Sequence, residues 1–144
     1  MKIAITITLL FCLPGIAQSA DWLAVTGGES STVSVDIHSI SQVGKYWKAW
    51  VKTDLDAPQE TQNFPVKKYV STKYLEYVDC RSKTGVVVQF LAYDSGGDVV
   101  EQSHAEFNPK NLREMVPDTI GEHVAGFICG VAERRTSGVK KKGK

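Results

Sequence analysis

Apolar and polar positions alternate with a period of two through much of the chain. Over residues 32–37, Val33, Val35 and Ile37 share one side and Ser34 and Asp36 the other. The alternation is longer over residues 46–55. Trp47, Ala49, Val51, Thr53 and Leu55 oppose Tyr46, Lys48, Trp50, Lys52 and Asp54. Successive side chains of a β-strand point to opposite faces, so this pattern predicts strands. Residues 22–26 are apolar and end at the turn signal Gly27-Gly28. Residues 66–80 are rich in Val and Tyr but long, and a bend is expected near Ser71-Thr72. Residues 86–93 form a dense β-branched and aromatic run, Asp94 to Asp98 reads as a hairpin turn, and residues 99–107 return. Pro58 and Pro65 among polar residues predict a loop over 56–65. Strands joined by short turns imply an antiparallel meander.

The period changes after Pro117. Thr119 is placed to cap a helix, and Glu122 three residues on completes a capping box. At helical spacing, Phe127, Ile120, Val131, Val124, Ile128, Gly121, Ala132 and Ala125 fill one arc, with Glu122, Glu133, His123 and Arg134 outside it. Cys129 falls on the rim of that arc. Gly126 and Gly130 each weaken the helix by about 1 kcal/mol relative to Ala, so it depends on tertiary contacts. The fold class is α+β: a single antiparallel sheet of five to six strands with a C-terminal helix packed on one face.

The first residues run in the order of a secretory leader: Lys2, an apolar stretch to Ala17, then small residues. The stretch is shorter than the roughly 20 residues of a membrane span. A signal peptide over 1–19, a domain over 20–135 and a basic, disordered tail over 136–144 follow. Cys12 lies inside the apolar run behind Phe11 and leaves with the leader rather than carrying lipid. Cys80 and Cys129 remain, and an even cysteine count in an exported protein predicts a disulfide. With Cys80 at a strand end and Cys129 on the helix rim, the bond ties helix to sheet. Residues 20–133 hold ten basic and sixteen acidic residues, a net charge of −6. An acidic body does not fit nucleic-acid binding, which needs a basic stripe on the folded part.

Several features together resemble the surface-adhesin protein E family of small bacterial exported proteins. They are Trp22 behind the leader, Val35-Asp36 before Ser39-Ile40, Trp47-Lys48-Ala49-Trp50, and Ser71-Thr72-Lys73 leading to Asp79-Cys80. Pro117-Asp118-Thr119 with Glu122 and Cys129 complete the set. The resemblance implies an antiparallel sheet with a disulfide-tied C-terminal helix. It also implies a non-enzymatic binder of an extracellular host protein or an envelope protein.

No catalytic constellation assembles: neither Gly-x-Ser-x-Gly nor His-Glu-x-x-His occurs. His38, His104 and His123 are too scattered to predict a metal site, and no cofactor is expected. Asp94 and Asp98 belong to a turn, and His104 with Glu106 reads as a solvated pair. Trp22 is expected in the core. One of the two aromatic faces of residues 46–55 lies under the helix. The burial preference of tryptophan favours Trp50 there, with lysine stems covering it. The competing arrangement exposes Lys48, Trp50 and Lys52 as the candidate partner-binding face, suited to an acidic or glycan partner. A free sheet edge or a two-fold related surface can also form a homodimer. The functional expectation is an exported, adhesin-like interaction protein, periplasmic or at the cell surface and not membrane-spanning once the leader is removed. The alternative is a periplasmic structural or envelope accessory protein without host contact.

Overall fold

The computed structural model describes residues 19–141. All but the last residue of the expected leader, Cys12 included, and residues 142–144 lie outside the described residues. Eight strands form one sheet: β1 (Trp22–Gly28), β2 (Ser31–Asp36), β3 (Ser41–Val43), β4 (Tyr46–Glu60), β5 (Lys68–Asp79), β6 (Thr84–Tyr93), β7 (Val99–His104) and β8 (Arg113–Glu114). The spatial order is β1-β2-β4-β5-β6-β7, with β3 added to β4 and β8 to β6. Every pairing is antiparallel. One helix, α1 (Ile120–Lys141), closes the chain.

Strand β4 runs through Pro58, where the prolines predict a loop. Its partner β2 ends opposite Leu55, and the register with β5 jumps between Asp54 and Gln59. Pro58 therefore sits where the strand has lost its ladder, and its missing N–H leaves no partner unsatisfied. Strand β5 continues through Ser71-Thr72 instead of bending. The irregularity lies across from it on β4, whose extra residues fall between the pairs Asp54–Ser71 and Gln59–Tyr69. Strand β7 stops at His104, and the following segment turns away to bring Phe107 onto Tyr77. Strands β3 and β8, three and two residues long, are too short for a periodic signal.

The helix starts as its capping box predicts. Thr119 Oγ1 accepts the Glu122 N–H at 3.3 Å, while the Glu122 carboxylate accepts the Asp118 N–H at 2.7 Å. Val124, Ala125 and Ile128 then press onto Val33, Val35, Ala49, Val51 and Val78. Ile120, assigned to the same arc, is 43% exposed at the helix start. The helix continues to Lys141, so residues 136–141 are helical where the sequence predicts a disordered tail. Arg135 anchors this part, donating to the Ile37 and Ile40 carbonyls. Cys80 and Cys129 are bonded, with Cα atoms 5.6 Å apart and a sequence separation of 49. The bond joins the end of β5 to the middle of α1, as the sequence predicts.

Candidate partner-binding face

Alternation along β4 sorts its residues between two environments. Ala49 and Val51 are fully buried under α1, and Trp47 packs against the same cluster. Lys48, Trp50 and Lys52 point to the other side of the sheet. The helix therefore covers Trp47, not Trp50, which corrects the expectation drawn from tryptophan's burial preference. Lysines two residues either side of Trp50 mark this face as wet, since a covered face would have to bury both charges.

Cross-strand register extends the uncovered face. Lys48 pairs with Tyr77, Trp50 with Leu75, and Lys52 with Lys73. Trp50 is half-buried and its backbone N–H donates to Ser39 Oγ at 2.9 Å. Phe107 stacks on Tyr77 with ring centroids 4.1 Å apart and meets Tyr46 edge-on at 4.9 Å. Lys48 Nζ lies 5.9 Å from the Tyr77 ring. Trp22, expected in the core, is instead half-buried on this face. Lys52 and Lys73 lie 5.6 and 5.8 Å from its ring centre, and Lys73 lies 5.1 Å from that of Tyr93. Lys52 also pairs with Asp54 at 2.7 Å. Among the described residues, Lys48 and Lys73 have no carboxylate within ion-pair distance.

Like charges directly opposite on a sheet destabilise it by about 0.2–1 kcal/mol. Ammonium groups near exposed aromatic rings recover about 0.5–1 kcal/mol each. The Lys52–Lys73 pair is thus tolerated at near balance, with its positive charge left facing water. The sequence sets Lys48, Trp50 and Lys52 on one side of a strand; that Trp22, Lys73, Tyr77 and Phe107 share that side of the sheet it does not show. The alternation of β5 was visible in the sequence. Its register against β4, which sets Lys73 opposite Lys52, was not.

Other ionisable groups lie off this cluster. Lys45 bridges Asp79 at 2.9 Å, and their hydrogen bond holds the Asp79 carboxyl below its ordinary pKa and raises that of Lys45. Glu76 is 5% exposed on the helix-covered face, and burial pushes its pKa up to about 7. Burial, then the neighbouring Glu76, raises that of Tyr74. Asp94 behaves as a turn residue, its carboxylate accepting the Gly96 and Asp98 N–H groups. His104 and Glu106 are exposed, as a solvated pair would be. A cavity of about 250 Å³ opens beside the disulfide, between Met115, Lys83 and Glu122. Among the described residues no group of three or more His, Cys, Asp or Glu side chains gathers to hold a metal. No described helix is long and apolar enough to cross a membrane.

The fold has known counterparts. Protein E of Haemophilus influenzae matches with a TM-score of 0.54 at 16% identity, over 82% of this chain and 90% of that one. A second crystal form of it matches with a TM-score of 0.55 at 14% identity, over 82% and 94%. Protein E from a non-typeable strain gives 0.52 at 15% identity, over 82% and 81%. At such identities the likeness is one of fold. Curated proteins yield no sequence match. The family model of surface-adhesin protein E, by contrast, matches residues 22–130, which span sheet, disulfide and the first half of the helix. This chain belongs to the surface-adhesin protein E family.

Proposed function

We propose that this protein is an exported adhesin that meets its partner through the open face of its sheet, centred on Lys48, Trp50 and Lys52. One observation carries the reading. Half-buried aromatic rings and lysines share a sheet face that α1 does not cover, in a body that is otherwise acidic. Three of the ten basic residues between positions 20 and 133 (Lys48, Lys52 and Lys73) cluster with those rings. Aromatic and cationic side chains at a rigid, flat surface suit recognition of a protein or glycan. Membership of a surface-adhesin family supports display outside the cell. Binding rather than catalysis accounts for the face, which gathers no nucleophile and base within reach of each other.

Two measurements test the reading. Protease added to intact cells should cleave the protein. Protection until the outer membrane is opened would instead make it a periplasmic accessory protein. The immobilised mature chain should capture a partner from host extracellular material, and Trp50→Ala and Lys48→Ala should weaken that capture. A partner bound equally well by both variants places the contact elsewhere.

A further inference from the structure

The Lys52–Lys73 pair stands at the middle of the sheet, on its two most extensively paired strands. Both ammonium groups gather over one ring, that of Trp22. Each is held by the face of an aromatic ring, which attracts a cation without neutralising it. Asp54 offsets one of the two charges. A residual positive charge therefore sits fixed between β4 and β5, about 4.8 Å apart as adjacent strands are. Lys48 lies four residues along β4 from Lys52, about 13 Å away at the rise of a strand.

We infer that this cluster is a binding site for an acidic polysaccharide, with Lys52 and Lys73 receiving a sulfate or carboxylate group. Trp22 and Trp50 supply flat apolar rings for the sugar beside it. The inference rests on the open-face reading and names the chemistry of the partner. Charge complementarity carries it: Asp54 offsets only one of two lysines set directly opposite, and an incoming anion can meet the positive charge that is left. The repeated charges of a polysaccharide can engage Lys48 as well as the pair. A polar hollow lined by Gln89, Gln102, Ser103 and His104 lies farther across the sheet, and an extended chain needs no deep apolar pocket.

The test passes the mature full-length chain over immobilised heparin, alginate and neutral dextran. Three proteins are compared: the natural chain, a Lys52→Gln/Lys73→Gln variant, and a variant with Lys140, Lys141 and Lys142 changed to Gln. The natural chain should be retained on heparin or alginate, released by salt, and pass freely through dextran. Heparin alone would specify sulfate, and alginate as well would specify any acidic sugar. The paired-lysine variant should bind about ten-fold more weakly, the loss of one charge-assisted contact. The tail variant should lose less than that. Soluble heparin should raise the melting temperature of the natural chain, and that of the paired-lysine variant by less. The inference is overturned if the natural chain passes through both acidic columns. It is equally overturned if the paired-lysine variant binds as tightly as the natural chain, or if the tail variant accounts for all the retention. Failure here with a captured protein lost on Trp50→Ala leaves the adhesin reading intact. Retention of the purified chain with a protease-protected protein in cells does the reverse.

Discussion

Glu76 and Gly85 occupy neighbouring space on the covered face of the sheet: a Cβ on Gly85 would stand 2.9 Å from Glu76 Oε1. The missing side chain leaves room for a carboxyl group beside Met115. Among the described residues no cation pairs with it. Burial raises its pKa from 4.5 to about 7, so the folded state holds the proton more tightly than the unfolded chain does. Stability is therefore full below pH 4.5, falls as pH rises toward 7, and then levels. The loss amounts to about 3 kcal/mol. Denaturant midpoints should fall from pH 5 to pH 8. Glu76→Gln should flatten the profile and be the more stable protein at pH 8. A midpoint that rises across this range would sink the assignment. Asp79 has the opposite dependence, losing its contribution only as pH falls through and below 3.8.

Gly85→Ala should destabilise the fold without touching the open face. The new methyl would overlap Met115 Cε and approach the Tyr77 carbonyl oxygen at 3.3 Å. Met115 can swing away, the backbone cannot, and overpacking of this kind costs about 1–3 kcal/mol. Thermal unfolding checks the stability. Unchanged partner binding below the transition separates this effect from damage to the face.

Exchange of the two tryptophans' roles is measurable. Trp47→Ala removes packing against the core cluster and should cost about 2–4 kcal/mol. Trp50→Ala should cost about 1 kcal/mol or less and show its effect in binding. Equal destabilisation by both variants would contradict the two-faced assignment of β4.

How far these features could be read from the sequence differs from element to element. The capping box at Thr119 and Glu122, the hairpin at Asp94 and the staple between Cys80 and Cys129 are local or compositional, and each stands where the sequence placed it. Trp50 was harder, because both faces of β4 carry tryptophan and burial preference alone cannot rank them. The flanking lysines hold that information. Pro58 misled because a proline marks a break only where the strand needs its N–H, and β4 has outrun β2 by then. Lys73 joins the site only through register, set by strand pairing over the whole length of β4 and β5.

Reduction of the Cys80–Cys129 bond should lower stability by up to about 4 kcal/mol, the chain-entropy value for a loop of this size. Chemical unfolding with and without reductant measures it, and a Cys80→Ser/Cys129→Ser variant should match the reduced protein.

Arg135→Ala should leave the carbonyls of Ile37 and Ile40 without their guanidinium donor, at a cost of about 1–2 kcal/mol. Hydrogen exchange should rise first in the segment between β2 and β3. Exchange that rises uniformly across the sheet would show instead that Arg135 supports the whole fold.

The alternation along β4 has an evolutionary consequence. Trp47, Ala49 and Val51 answer to the helix, while Lys48, Trp50 and Lys52 have no part in that packing. A lineage can replace every second residue of the two central strands and acquire a new specificity, while the core, the disulfide and the helix stay as they are. Open-face chemistry and foldability are thus inherited on interleaved positions, and either can drift without dragging the other along.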